Sequence, residues 1–194
     1  MNLEKARYNM VEQQIRPCNV LDQEVLDLLA VIKREAFVPA AHRALAFADV
    51  EIPLGHGAAM LAPVIEAKIL QALHLRKSDK VLEIGTGSGC LAALLAARTD
   101  HVYSVEIVPE LAARARGNLK SQDTDNVTVE EGDGARGWAA HAPYDVIVLS
   151  GSTPVLPDAF LQQLKVGGRL FAVVGEAPAM QAQLVTCVAE GRYR

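Results

Sequence analysis

After Lys80 the sequence alternates between short apolar runs and stretches with helical periodicity, and this alternation restricts the fold more than any other feature. The runs predicted as strands cover residues 81–85, 102–106, 127–132, 144–150 and 168–175, and the predicted helices between them cover 91–98, 109–119 and 158–164. Strands that alternate with helices pair in parallel through right-handed crossovers. The sequence therefore predicts an α/β protein with a Rossmann-like, doubly wound and mostly parallel sheet.

The residues before this alternation carry a different pattern. They predict a helix over 3–15, a second helix that ends near 34, an ordered loop over 49–63 and a helix over 64–73. Pro17 ends the first helix, and either Asn19 or Asp22 can cap the second. We expect residues 1–79 to cover the cleft of a core formed by residues 80–194, the two parts together making one compact domain.

Composition narrows the class of protein. The chain has 194 residues, of which 51% are apolar, and a formal net charge of -4, so it has no general attraction for nucleic acid or anionic lipid. Its three cysteines are widely spaced and show no metal-ligand pattern, and no apolar run is long enough for a membrane span. We therefore predict a cytoplasmic protein without a metal site and without nucleic acid or membrane partners; the oligomeric state stays open.

The first strand of the alternation runs directly into a glycine-rich turn, in the sequence VLEIGTGSG. Gly85, Gly87 and Gly89 allow a tight turn and a close approach of the backbone to a ligand, and the helix that follows offers unpaired N–H groups. The dinucleotide fingerprint GxGxxG requires glycine or alanine where this chain has Cys90. Nicotinamide and flavin cofactors are therefore disfavoured.

Two carboxylates follow the next two strands. Glu106 lies 21 residues after Gly85, a spacing at which a carboxylate reaches a ribose diol, and Asp133 could accept a hydrogen bond from an adenine amino group. Either residue alone could equally be a solvated loop carboxylate, but the coincidence at successive strand ends predicts an adenosine pocket. The predicted cofactor-binding residues are Glu83, Gly85, Thr86, Gly87, Ser88, Gly89, Glu106, Ile107, Asp133 and Gly134.

These motifs resemble those of class I S-adenosylmethionine-dependent methyltransferases and, more closely, the protein-L-isoaspartate O-methyltransferase family. The closer resemblance rests on MVEQQIR, REAFVP, DVEIPLGHG, PYD and QLKVGGRL, which together span nearly the whole chain. It implies S-adenosyl-L-methionine as methyl donor and, as substrate, an isoaspartyl carboxylate of a damaged protein or peptide. A carboxylate with a pKa near 4 is already ionised at neutral pH, so this acceptor needs no general base.

The chain departs from the family pattern at the predicted acceptor site. Where the family reads GQxxTISQP, this chain reads GHGAAMLAP, so that Leu61 occupies the position of the serine. The resemblance implies that this serine contacts the substrate, and a leucine side chain forms no hydrogen bond. We therefore leave the catalytic residue unknown, with Ser150 as a candidate. The predicted substrate-binding residues are Ala59, Met60, Leu61 and Ser150, of which Ser150 could instead satisfy loop backbone.

Two other functions stay open at this point: methylation of a different small-molecule or protein acceptor, and a cofactor-binding module without transfer activity. The C-terminal sequence predicts one strand over 184–189, where the resemblance implies a hairpin of two more strands. We expect either a shortened chain or an unpaired last position in the sheet.

Overall fold

The computed structural model describes residues 2–194. Its N-terminal elements are α1 (Leu3–Asn9), a π-helical segment (Met10–Ile15), a 3-10 turn (Arg16–Cys18), α2 (Gln23–Val31), two further 3-10 turns (Arg34–Ala36 and Ala40–Leu45), the hairpin strands β1 (Ile52–Gly55) and β2 (Ala58–Met60), and α3 (Pro63–Leu73). Asp22 caps α2 through its carboxylate. Asp49 accepts a hydrogen bond of 3.1 Å from the Val64 amide and so fixes the start of α3.

The remaining elements form a sheet with helices between its strands. They are β3 (Lys80–Ile84), α4 (Cys90–Ala96), β4 (His101–Glu106), α5 (Pro109–Ser121), β5 (Val127–Glu131), a 3-10 turn (Ala139–His141), β6 (Tyr144–Thr153), α6 (Asp158–Leu161), β7 (Leu164–Glu176), β8 (Ala179–Ala189) and β9 (Arg192–Tyr193). The strand order is β5-β4-β3-β6-β7-β8-β9, parallel from β5 to β7 and antiparallel beyond. The predicted Rossmann-like, mostly parallel sheet is confirmed.

The strand order places a crevice beside β3. From β3 the chain moves outward through β4 to β5, and it then returns to the other side of β3 to form β6. In open α/β sheets, ligands bind where the strand order reverses in this way, beyond the carboxyl ends of the strands. The fold therefore directs attention to the ends of β3, β4 and β6.

The N-terminal elements pack onto this sheet. One hydrophobic cluster includes Met10, Phe37 and Ile69 together with Val81 of β3. Arg169 of β7 also donates hydrogen bonds to the carbonyls at the end of α3, at 2.8 Å to Leu73 and 3.0 Å to His74. The N-terminal part thus rests on the face of the sheet, while the division near residue 79 stays a prediction.

Several predicted boundaries differ from the structure. Helix α2 ends at Val31, because Ile32 already has an extended backbone, and α6 ends at Leu161, since β7 begins at Leu164. The loop predicted over 49–63 contains the hairpin of β1 and β2. The strand predicted over 184–189 is the end of the longer β8, which pairs with β7 over most of its length and also with β9.

Candidate functional site

A cleft of about 610 Å³ opens at the carboxyl ends of β3 and β6. Its lining brings together residues predicted for the two halves of one site: Gly85, Gly87 and Glu106 from the cofactor set, and Ala59, Leu61 and Ser150 from the substrate set. The remaining lining residues are Glu51, Gly57, Ala58, Ile65, Gly151, Ser152, Val173 and Met180. A volume of this size accommodates a ligand as large as a nucleoside-linked amino acid.

The glycine-rich turn forms one wall of the cleft, and its backbone conformation favours glycine. Gly85, Gly87 and Gly89 have φ angles of 97°, 56° and 84°, in the left-handed region that favours glycine. A Cβ atom on Gly87 would lie 3.1 Å from Leu54 Cδ1, and one on Gly85 would lie 3.6 Å from Ser150 Cβ. The turn therefore needs glycine at Gly87 for both its conformation and its space.

Glu106 is held in a fixed orientation at the end of β4. Its side chain is buried, and its two oxygens accept hydrogen bonds from the Gly87 amide at 2.8 Å and the Val108 amide at 3.0 Å. A carboxylate oxygen has two lone-pair sites, so each oxygen can still accept a second donor. Because Glu106 also lines the cleft, it can accept hydrogen bonds from two neighbouring hydroxyls of a ligand.

A buried network of hydroxyls and one carboxyl connects the ends of three strands. Glu83 accepts hydrogen bonds from Ser104 at 2.5 Å and from Ser150 at 3.1 Å, and Ser104 also bonds Thr86 at 2.6 Å. Burial raises the pKa of Glu83 to about 8, although the two serine hydrogen bonds favour its ionised form. Ser150 is therefore oriented by a carboxyl group while it lines the cleft.

Other predicted residues line a second cavity beside the cleft. Met60, Glu83, Thr86 and Ser88 line a smaller adjoining cavity that also includes Gly85, Gly87, Leu61 and Ser150. The hydroxyl of Thr86 bonds Ser104, and that of Ser88 accepts a hydrogen bond from the Cys90 amide at 3.4 Å. Thr86 and Ser88 therefore use their side chains within the protein. Their carbonyls also accept hydrogen bonds, from the Gly89 amide and the Asn118 side chain, each at 2.9 Å, which leaves their backbone amides for ligand contact.

Four predicted cofactor residues do not line either cavity. Ile107 is 64% exposed, and Gly89 packs at the start of α4. Gly134 is buried where a Cβ atom would lie 2.8 Å from Ile84 Cδ1. Asp133 is exposed and accepts a hydrogen bond from the Ala135 amide at 2.9 Å. Their contacts with the cofactor, including that of Asp133 with adenine, stay predictions.

The sequence did not predict every residue of the cleft. Val173 and Met180 reach it because β7 and β8 form a long hairpin, which a one-dimensional pattern does not locate. Glu51 and Ile65 reach it because the hairpin of β1 and β2 and the start of α3 lie beside the glycine-rich turn. A useful signal was available in DVEIPLGHG, whose glycines and proline mark an ordered loop.

The residues present fit S-adenosylmethionine. A fixed carboxylate at Glu106 matches a ribose diol. The glycine-rich turn exposes bare backbone to the cleft, because at Gly87 a Cβ atom would crowd Leu54. Apolar side chains of Leu61, Ile65 and Val173 line the same cleft. This combination of one oriented carboxylate with mostly apolar walls is typical of small-molecule sites.

Comparisons with known proteins agree with this fit. The model of the family described as protein-L-isoaspartate(D-aspartate) O-methyltransferase matches residues 5–192. A protein-L-isoaspartate O-methyltransferase 2 from Pelobacter propionicus is 44% identical over 93% of this chain and 80% of its own length. A protein-L-isoaspartate O-methyltransferase from Ignicoccus hospitalis is 40% identical over 92% of this chain and 86% of its own.

Solved structures show the same architecture. A structure titled protein-L-isoaspartate O-methyltransferase superposes with a TM-score of 0.78 and 25% identity, over 94% of this chain and 59% of the other, so this chain spans about three fifths of that protein. A crystal structure of a Plasmodium falciparum protein in complex with S-adenosyl-L-homocysteine gives a TM-score of 0.81 at 18% identity, over 97% of this chain and 91% of the other. The second likeness is one of fold.

Proposed function

Because the chain belongs to the protein-L-isoaspartate(D-aspartate) O-methyltransferase family, we propose that it methylates the carboxylate of isoaspartyl residues in proteins or peptides, with S-adenosyl-L-methionine as donor. One observation carries this proposal: the lining of a single cleft combines the predicted donor residues Gly85, Gly87 and Glu106 with the predicted acceptor residues Leu61 and Ser150. A donor and an acceptor bound there would lie side by side, as group transfer requires.

In this proposal the donor half of the cleft binds S-adenosylmethionine and orients it. S-adenosylmethionine, when bound, supplies a methyl group activated by a positively charged sulfur. The Glu106 carboxylate would accept hydrogen bonds from the ribose hydroxyls, and the backbone of Gly85 and Gly87 would form the wall beside them. The Gly87 amide is already bonded to Glu106, so binding does not require the carboxylate to reorient.

The acceptor half of the cleft excludes water and positions the nucleophile. An isoaspartyl carboxylate is ionised at neutral pH, so the chain needs to supply no general base. Leu61, Ile65 and Met180 give this half apolar walls, which would displace water from a bound carboxylate and so make it more reactive. The Ser150 hydroxyl donates its hydrogen bond to Glu83 at 3.1 Å, so it would have to rotate away from Glu83 to donate to an ionised acceptor.

Cys90 follows the glycine-rich turn, and its chemistry is that of an inert core residue. Burial raises the pKa of the Cys90 thiol well above its usual value, so the thiol stays protonated and is a poor nucleophile. We therefore assign the transfer to the acceptor directly, without a covalent intermediate on the protein.

The apolar character of the acceptor half favours a second candidate function. Ala59 and Leu61 line the cleft at the two positions where the family pattern GQxxTISQP has the hydroxyl side chains of threonine and serine. Methylation of a less polar small-molecule or protein acceptor would suit this surface. A comparison of isoaspartyl peptide with other acceptors separates the two candidates.

We place this activity in the cytoplasm, on protein substrates. All three cysteines are free, which supports a reducing compartment. Within residues 2–194, no helix combines the length and apolarity needed to cross a bilayer.

Transfer of labelled methyl groups to a synthetic isoaspartyl peptide tests the proposal directly. We expect base-labile methyl ester on the isoaspartyl peptide and none on the otherwise identical aspartyl peptide. Binding of S-adenosylhomocysteine without any ester on the isoaspartyl peptide would reject this acceptor and support the second candidate, or a binding module without transfer. Equal ester on both peptides would contradict the proposed specificity.

A further inference from the structure

Arg34 is a charged side chain in the interior of the protein. It lies in the 3-10 turn that follows α2, and only 3% of it is exposed. Arginine is rarely buried unless its donors are satisfied. Here they reach several separate segments: Nε donates to the Ala46 carbonyl at 3.0 Å, Nη2 donates to the Leu61 carbonyl at 2.6 Å, and Nη1 pairs with the Glu66 carboxylate.

One of these partners lines the acceptor half of the cleft, and a further contact of Arg34 reaches the residue that follows the glycine-rich turn. Leu61 lies in the segment between β2 and α3, and it lines the acceptor side. Nη1 of Arg34 also contacts Cys90 Sγ at 3.7 Å, and Cys90 is the first residue of α4, directly after the glycine-rich turn. One guanidinium group therefore contacts both the segment between β2 and α3 and the residue that follows the glycine-rich turn.

The planar guanidinium is suited to this arrangement. It presents five N–H donors in a rigid fork, so its contacts to Leu61, Glu66 and Ala46 fix their relative positions. A lysine ammonium could keep the ion pair with Glu66, but it is a point charge without this fork. The geometry thus distinguishes a role for the charge from a role for the fork.

We propose that Arg34 is a positioning residue for methyl transfer, which holds the Leu61 backbone at a fixed place relative to the glycine-rich turn. It touches neither substrate in this proposal and acts through Leu61. The proposal rests on the proposed function for its kinetic consequence, because correct alignment matters most when an acceptor oxygen must meet the donor methyl in line. Its structural consequence, a fixed Leu61 segment, does not depend on the identity of the acceptor.

Arg34→Lys separates these effects, and Arg7→Lys is the matched control. Arg7 also pairs with a glutamate of the same 3-10 turn, Glu35, at 2.5 Å with both side chains nearly buried, but Leu61 is not among its partners. We expect Arg34→Lys to lower kcat by about 10- to 100-fold, as misplacement of reacting groups does, with the Kd for S-adenosylhomocysteine changed less than about twofold. Arg7→Lys should leave kcat within about twofold of the wild type.

Amide hydrogen exchange supplies a readout that does not need activity. In the proteins loaded with S-adenosylhomocysteine, Arg34→Lys should speed exchange in the peptide that covers residues 57–62, and Arg7→Lys should not. Should Arg34→Lys fail to fold, the double variant Arg34→Met with Glu66→Met removes the fork and the buried charge together, a replacement that proteins often tolerate. The same losses are expected in that variant.

The outcomes are distinguishable from failure of the proposed function. A wild-type protein without activity on isoaspartyl peptide would reject that function, and the exchange experiment would still test Arg34. Wild-type exchange at residues 57–62 in Arg34→Lys, or in the double variant if it is needed, would overturn the positioning role. So would a wild-type kcat in the same variant of an active enzyme.

Discussion

At the scale of single residues, Glu106 has two structural tasks. Its carboxylate accepts a hydrogen bond from the Gly87 amide and so fixes the glycine-rich turn. The same residue also lines the cleft. Both tasks use the ionised group, since a carboxylate accepts charge-assisted hydrogen bonds from backbone and ligand alike. Removal of this carboxylate should therefore weaken the binding of the methyl donor.

Glu106→Ala is expected to weaken binding of S-adenosylhomocysteine by about 1.5 to 3 kcal/mol, or roughly 10- to 150-fold in Kd. The reason is the loss of an oriented, charged acceptor for the ribose hydroxyls. Isothermal titration calorimetry measures the change. Glu110→Ala is the control, because Glu110 is an exposed carboxylate in the first turn of α5. Equal affinities of wild type and Glu106→Ala would show that the ribose assignment is wrong.

Leu61→Ser is expected to raise kcat/KM for isoaspartyl peptide. Leu61 is half-buried and lines the cleft, so a serine there would add a donor at the acceptor side. The gain should be about 2- to 10-fold, the worth of one hydrogen bond of about 0.5 to 1.5 kcal/mol. Steady-state kinetics with Leu61→Ala as control separates the hydroxyl from the removal of bulk. An unchanged or lower value for Leu61→Ser would mean that acceptor contacts lie elsewhere.

The individual site residues differ in how far the sequence could predict them. Glu106 and the glycines follow from their spacing along the chain, because strand ends converge at one edge of a parallel sheet. Arg34 was missed, since a charged residue beside Lys33 and Glu35 has the pattern of a solvated turn. Its burial depends on the packing of distant segments that carry Leu61 and Glu66, and no local signal encodes that packing.

At the scale of elements, the glycine-rich turn packs against β1 and also lines the cleft. Its backbone lies in the left-handed region at Gly87, and Leu54 of β1 fills the space above it. The hairpin of β1 and β2 thus rests on the turn, so a change in either element affects the other.

Gly87→Ala is expected to destabilise the protein by about 1 to 2 kcal/mol, the cost of left-handed backbone for a residue with a Cβ atom. The new Cβ atom would also lie 3.1 Å from Leu54 Cδ1. Because the Gly87 amide holds Glu106 and both residues line the cleft, a displaced turn should also weaken the binding of S-adenosylhomocysteine. Urea unfolding and calorimetry measure the two effects.

Gly117→Ala provides the opposite expectation in the same chain. Gly117 lies in α5 with nothing within 4 Å of an added Cβ atom, so alanine should stabilise the helix by about 0.4 to 1 kcal/mol. Donor affinity of Gly117→Ala should stay at the wild-type value.

For Gly87→Ala, wild-type stability together with wild-type affinity for S-adenosylhomocysteine would contradict the assigned role of the turn.

The sheet was predictable from the sequence, whereas the hairpins were not. Strands β3, β4 and β5 have apolar runs bounded by turns and helices, so their position could be predicted. Strands β1 and β2 have four and three residues, which is too short for a periodic signal. Much of β8 is exposed, and its pairing with β7 rather than an apolar pattern defines where it begins.

At the scale of the whole molecule, Glu83 couples stability to pH. It is fully buried among the ends of β3, β4 and β6, and its folded-state pKa is raised to about 8 by that burial. The folded protein therefore keeps a proton that the unfolded chain releases near the ordinary glutamate pKa. Its stabilising contribution is fully present at low pH and is lost as the pH rises towards 8.

We expect the wild-type free energy of unfolding to fall more steeply with rising pH than that of Glu83→Gln. The difference in slope should reach as much as about 1.4 kcal/mol per pH unit between pH 5.5 and 7.5. Urea unfolding across this range measures it. Glu131→Gln, which changes an exposed carboxylate at the end of β5, is the control. Parallel profiles for wild type and Glu83→Gln would show that Glu83 is ionised in the folded protein.

The central claim is that the carboxyl ends of β3, β4 and β6 form one cleft in which donor and acceptor meet. A crystal structure of the protein with S-adenosylhomocysteine tests it most directly. We predict ribose hydroxyls within about 3 Å of the Glu106 oxygens and the ligand sulfur facing Leu61 and Ser150. Ligand density outside this cleft, or a ribose turned away from Glu106, would contradict the claim.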